Sequence, residues 1–235
     1  MIDMGWASMK ILRQLPVTLV VCGVLCTTAI HQIGGSASAQ TAVKNAPAAS
    51  QVQIDLLRGL ADIFSRGMDT LTDKLNRQGY SARVYSTNGW QSVARRIAEN
   101  YSRGHKDIVV IIGHSLGANA TFDIANVLDK QNIPIELIVT FDATQPKLVP
   151  KNVLHFVNIY QRNGFGEKVS ASADFKGELS NIDLTADTGL SHTTIEKSPR
   201  LHAMVMQKIA AIVSDDLAKK IQTSKPKSKK KQARP

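Results

Sequence analysis

Two nearly unbroken apolar runs, Ile108-Val109-Val110-Ile111-Ile112 and Ile135 to Phe141, constrain the fold of this chain more than any other feature. Each is of strand length and rich in β-branched residues. Neither shows the polar alternation of a strand with one wet face, so each belongs in a sheet covered on both sides. Between them Leu116 to Leu128 has the length and apolar content of a helix. The same alternation comes before. Val52 to Leu57 reads as a strand, and Phe64 to Gln78 as a helix with Phe64, Met68, Leu71 and Leu75 at helical spacing, closed by Gly79. Ser81 to Tyr85 is then a strand, Trp90 to Tyr101 a helix and Asp107 to Ile112 a strand. A βαβα series of this kind predicts an α/β protein with a mostly parallel sheet, about six strands, and helices on both faces.

The pattern changes after Asp142. Only a Pro-punctuated stretch, Thr144 to Pro150, leads to the next strand, Val153 to Tyr160, so one crossover helix is missing. Gln161 to Gly177 is rich in Gly and Ser with little period, and a short apolar piece follows at Ile182 to Leu184. An amphipathic helix from Pro199 to about Ile221 closes the pattern, with Leu201, Val205, Ile209, Ile212 and Leu217 broadly on one face and Pro199 at its start.

The ends of the chain differ from its middle. Lys10 and Arg13, an apolar run from Leu15 to Ile30, and Ala37-Ser38-Ala39 ahead of Gln40 have the order of a secretory signal peptide over residues 1–39. A single membrane anchor is the rival reading, but the run is shorter than the ~20 apolar residues a spanning helix needs. The expected product is exported, periplasmic or extracellular, with a linker at 40–51 and the folded domain at 52–222. Cys22 and Cys26 both lie inside the apolar run, so the mature chain offers neither a disulfide nor a thiol nucleophile. The formal net charge of +10 is concentrated beyond Leu217, where seven lysines and Arg234 occur with no acid, leaving about +2 elsewhere. Residues 223–235 thus form a Lys-rich tail, suited to an anionic envelope surface, and the domain carries no signature of specific nucleic-acid binding.

Gly113-His114-Ser115-Leu116-Gly117 falls where the central strand ends and a helix begins. Glycines free of Cβ permit so tight a turn, and a serine there projects above the sheet edge beside a helix N-terminus, where a developing anion is favoured. A serine hydroxyl needs a base, and the base needs a group to fix its tautomer. Asp142 follows the strand Ile135 to Phe141 at the same sheet edge, with Asp183 and Asp187 as rival acids. His192 lies in a polar loop before the last helix and is favoured over His202, which falls inside that helix. His114 reads as a structural residue pointing away from the site, His155 is in a strand and His31 in the signal. Leu116, after the nucleophile, and Leu60, after Gly59 at the end of the first strand, are the expected amide donors to an oxyanion. No metal cluster, phosphate loop or dinucleotide fingerprint occurs, so no cofactor is expected.

Gly-His-Ser-Leu-Gly-Ala-Asn after a strand, Phe141-Asp142 after the next, and His192 before the last helix resemble the α/β-hydrolase superfamily over about Val52 to Ala218. Arg58-Gly59-Leu60, Phe64 to Met68, and Val149 to Gln161 look like a group of small bacterial lipase- or thioesterase-like hydrolases. The resemblance implies an α/β-hydrolase fold with a minimal lid or none, Ser115 as nucleophile, Asp142 as acid, His192 as base, and the Leu60 and Leu116 amides as oxyanion donors. It further implies a small-molecule or lipid acyl ester or thioester as substrate. Many members place the acid one strand later, where this chain has no carboxylate before Glu167. A catalytically silent hydrolase-fold protein that binds a ligand or the envelope is the alternative.

Overall fold

The computed structural model describes residues 51–60 and 65–224. The expected signal peptide, the linker except its last residue, and the tail beyond Ser224 lie outside them. The strands are β1 (Val52–Leu57), β2 (Ser81–Tyr85), β3 (Ile108–His114), β4 (Ile135–Phe141), β5 (Val153–Tyr160) and β6 (Glu178–Asp183). They form one six-stranded sheet in the order β2-β1-β3-β4-β5-β6, and every neighbouring pair is parallel. The α-helices are α1 (Arg66–Arg77), α2 (Trp90–Ser102), α3 (Leu116–Asp129) and α4 (Pro199–Ser224).

The apolar runs are two-faced, as parallel strands in the middle of a sheet must be. Along β3, Val109 and Ile111 face a core built with Val93 and Ile97 of α2 and Phe122, Ile124 and Leu128 of α3. Ile108, Val110 and Ile112 face the opposite core, made with Met68, Leu71 and Leu75 of α1 and Leu201, Val205 and Ile209 of α4. Helices therefore cover both faces, and β3 and β4 are buried along nearly their whole length.

The crossover from β4 to β5 has no helix, as the sequence predicts, and neither has the crossover from β5 to β6. Polar side chains hold these connections instead. Asn119 of α3 accepts the amides of Thr144 and Gln145 and donates to Thr144 Oγ1 (2.8 Å). Asn158 and Asn181 link β5 and β6 side by side, and Asn158 also donates to the Glu167 carbonyl (2.9 Å) while Asn181 brackets Val169. The last strand departs from expectation: it spans Glu178–Asp183 rather than the apolar Ile182 to Leu184. As an edge strand it pairs on one side only and carries polar residues along its length, which hides it from a search for apolar runs. The last helix likewise runs on to Ser224, two residues beyond the expected end of the domain.

Candidate active site

Ser115 joins β3 to α3 with φ 56° and ψ −121°, outside the regions a side-chain-bearing residue readily adopts. Gly113 and Gly117 do not supply this conformation; they allow close approach. A Cβ on Gly113 would lie 2.4 Å from the Gly117 carbonyl oxygen, and one on Gly117 would lie 2.3 Å from that of Arg58. The strain stays on the serine, and the packed glycines hold it there.

Three side chains from three connections meet above this turn. Ser115 Oγ is 3.0 Å from His192 Nε2, and His192 Nδ1 is 3.2 Å from Asp142 Oδ2. Asp142, wholly buried, follows β4 with φ 48°, and its other oxygen accepts the Gln161 amide at 2.8 Å. An aspartate that accepts from Nδ1–H leaves Nε2 unprotonated and facing the serine hydroxyl, as abstraction of its proton requires. The Gly-rich segment closes over the acid, where a Cβ on Gly166 would sit 2.2 Å from Asp142 Oδ1, and its Phe165 also lines the cavity at Ser115. Phe165, between Gly164 and Gly166, packs in a T-shaped arrangement with the His192 ring, with centroids 5.0 Å apart.

The other candidates are engaged elsewhere. Asp183 is exposed and held by Thr185 and Arg162, which lower its pKa to about 2. Asp187 pairs with Arg200 at 2.7 Å. His202 is buried in α4, where Nε2 donates to the Glu196 carbonyl at 2.7 Å and Nδ1 faces Lys74 Nζ at 3.1 Å. His155 lies beside Glu178.

His114 departs from the expectation that it points away. It is 2% exposed, lies with its ring 5.0 Å from that of His192, and Nε2 donates to the His192 carbonyl at 2.8 Å. Burial depresses its pKa to about 4, so the ring is neutral at ordinary pH. A histidine adjacent to the serine in sequence gives no signal of this, because its partners are brought in only by the fold.

Leu60, Leu116, Thr144, Phe165, His192 and Thr193 surround Ser115 in a cavity of about 340 Å³. Leu116 opens α3, so its amide has no acceptor within the helix. Gly59 brings Leu60 close to the serine: a Cβ on Gly59 would lie 3.0 Å from Ser115 Cβ. That glycine is needed for contact and not for a left-handed bend, since its φ is not positive. Among the described residues no group of His, Cys, Asp and Glu is arranged to hold a metal ion.

A parallel sheet with helices on both faces that presents a serine on a strand-to-helix turn has the α/β-hydrolase architecture. No family model and no curated protein matches the sequence. Solved structures similar to the chain include a cutinase-like protein from Cryptococcus sp., 14% identical, covering 70% of this chain and 96% of that one, with a TM-score of 0.45. Est1E from Butyrivibrio proteoclasticus is 13% identical over 71% of this chain and 90% of its own, with a TM-score of 0.43. A protein from Xanthomonas campestris pv. campestris, assigned to the alpha/beta hydrolase superfamily, is 16% identical over 67% and 99%, with a TM-score of 0.39. The chemistry rests on the site's own geometry.

Proposed function

We propose that the protein is a serine hydrolase that cleaves a carboxylic ester or thioester through an acyl-enzyme on Ser115. The observation that carries this reading is the unbroken hydrogen-bonded chain from Ser115 through His192 to buried Asp142. In the first half-reaction Ser115 Oγ attacks the acyl carbon as its proton passes to His192 Nε2. The oxyanion is received by the Leu116 and Leu60 amides, and the imidazolium returns the proton to the departing alcohol or thiol. Water then repeats the sequence on the acyl-enzyme, releasing the acid and restoring the serine. Asp142 stabilises the imidazolium without taking its proton.

Among the described residues lining the cavity there is no Lys, Arg, Asp or Glu, and Leu60 and Phe165 stand at it 66% and 67% exposed. Such a surface favours an uncharged, apolar acyl group, small-molecule or lipid, over a charged one, whose desolvation no described side chain there would offset by an ion pair. Export behind the expected signal, and contact of the Lys-rich tail with an anionic envelope, belong to the same proposal.

The test is turnover of short- and long-chain p-nitrophenyl esters and of acyl thioesters by wild type and Ser115→Ala. Hydrolysis that disappears in the variant supports the reading. Absence of turnover on every substrate, or turnover that survives in Ser115→Ala, overturns it; the first outcome favours the silent binding protein.

A further inference from the structure

The nucleophile turn, the oxyanion loop and the base loop are joined beside the reacting atoms by one chain of buried polar groups, whose Ser65 and His114 also border the cavity. Its proton order follows from what each atom can do. The His192 carbonyl only accepts, so His114 Nε2 carries the proton of that 2.8 Å bond. Nδ1 of the neutral ring is then an acceptor, and Ser65 Oγ, 2.7 Å away, donates to it. The same Ser65 oxygen accepts the Gly59 amide at 2.8 Å. Ser65 stands at the N-cap of α1, a position where a serine ordinarily accepts an amide of its own helix, yet it makes no cap hydrogen bond. Its hydroxyl is committed to the site instead.

Each end of this chain bears on a group the hydrolase reading requires. At one end, holding the Gly59 amide fixes the loop whose next residue is Leu60, and the Thr87 hydroxyl grips the preceding carbonyl of Arg58 from the other side. At the other, holding the His192 carbonyl fixes the backbone that carries the imidazole. His114 is the last residue of β3, so both loops are registered against the strand that presents Ser115. Resting on the proposed hydrolase reading, we infer that His114 and Ser65 are positioning residues: their linked hydrogen bonds set the Leu60 amide and the His192 ring against Ser115 together.

A misplacement of about 1 Å in such a site costs on the order of a hundredfold in rate. Ser65→Ala and His114→Gln are each expected to lower kcat for a p-nitrophenyl ester by about 10- to 100-fold with KM within about twofold. The rate of fluorophosphonate labelling at Ser115 should fall in step. The double variant should be no slower than the slower single, because both substitutions break one chain. Unchanged kcat, a change confined to KM, or losses that multiply in the double variant would overturn the inference. Ser65→Ala removes a single oxygen, so its folding and kcat keep the inference open to refutation even if His114→Gln fails to fold.

Nitrogen-15 NMR of the full chain reads the same chain without substrate. It should show the Nε2–H tautomer at His114, and Ser65→Ala should move the Gly59 amide and the His192 ring signals together. The Nδ1–H tautomer, or His192 signals unmoved by Ser65→Ala, refutes the relay whether or not the protein hydrolyses esters. A wild type with these NMR features and no turnover counts against the hydrolase reading alone.

Discussion

Glu196→Gln should stabilise this protein at alkaline pH, although it neutralises a charge beside a lysine. Glu196 is fully buried in the short 3-10 turn that follows the base loop, against the amide end of α1. A Cβ on Gly67 would sit 2.0 Å from its Oε2, so only glycine admits the carboxyl there. Neither of its oxygens makes a hydrogen bond of normal geometry; the Gly67 and Met68 amides act on them as dipoles. Lys197 Nζ is 3.8 Å away on a side chain 44% exposed, and water screens it. Desolvation outweighs these attractions and lifts the pKa from 4.5 to about 7.

A raised acid pKa means the folded state keeps a proton that the unfolded chain has lost. The stability it confers is full below about pH 4.5 and gone above about pH 7, a swing of about 3 kcal/mol at ~1.4 kcal/mol per pH unit. Glutamine keeps the shape and never ionises. Relative to wild type, Glu196→Gln should therefore gain up to about 3 kcal/mol between pH 4.5 and 8, or about 6–12 °C in Tm. Urea unfolding at pH 4.5, 6 and 8 checks this. A difference independent of pH, or a variant that loses ground as pH rises, refutes the reasoning. His114 titrates the other way: its depressed pKa confers stability that is full above about pH 6.5 and lost as pH falls through 4. Between pH 4.5 and 6.5 the two groups oppose each other, so removing Glu196 exposes a slope that wild type hides.

Three further substitutions follow from the site. Asp142→Asn should cut kcat by about 10³- to 10⁴-fold, because an amide no longer enforces the Nδ1–H tautomer; Asp183→Asn and Asp187→Asn, remote from the imidazole, should stay within about threefold. Gly166→Ala drives a methyl into Asp142 Oδ1 and should cost about 1–3 kcal/mol in urea unfolding together with most of the activity. Phe165→Ala should lower kcat/KM for long-chain esters by about 10-fold or more and for acetate esters by less, since it removes an apolar cavity wall and a ring contact with His192 but none of the hydrogen bonds from Ser115 to Asp142.

Much of this was legible in the residues because it is local. The apolar runs at β3 and β4 name their own burial on both faces, and glycines flanking a serine at the end of a strand mark a tight turn before any coordinate is known. Ser115, Asp142 and His192 follow from chain order and sheet edge. What the sequence conceals is contact across distance. Ser65 and His114 are 49 residues apart, and in sequence Ser65 is one more residue of the stretch read as a helix from Phe64, with nothing to place its hydroxyl on the imidazole. Glu196 lies in a 3-10 turn too short to show a period, so a carboxyl buried beneath α1 looks like any surface acid. In β6, polar residues at a half-exposed edge erase the apolar signal.

The most direct measurement is mass spectrometry of the intact, folded protein after reaction with a fluorophosphonate, with the adduct mapped by peptide sequencing. The account predicts one adduct, on Ser115, formed quickly by wild type and slowly by His192→Ala, and absent from Ser115→Ala. An adduct on another serine, or none on a folded wild type that shows the Ser115–His192–Asp142 arrangement, would contradict it.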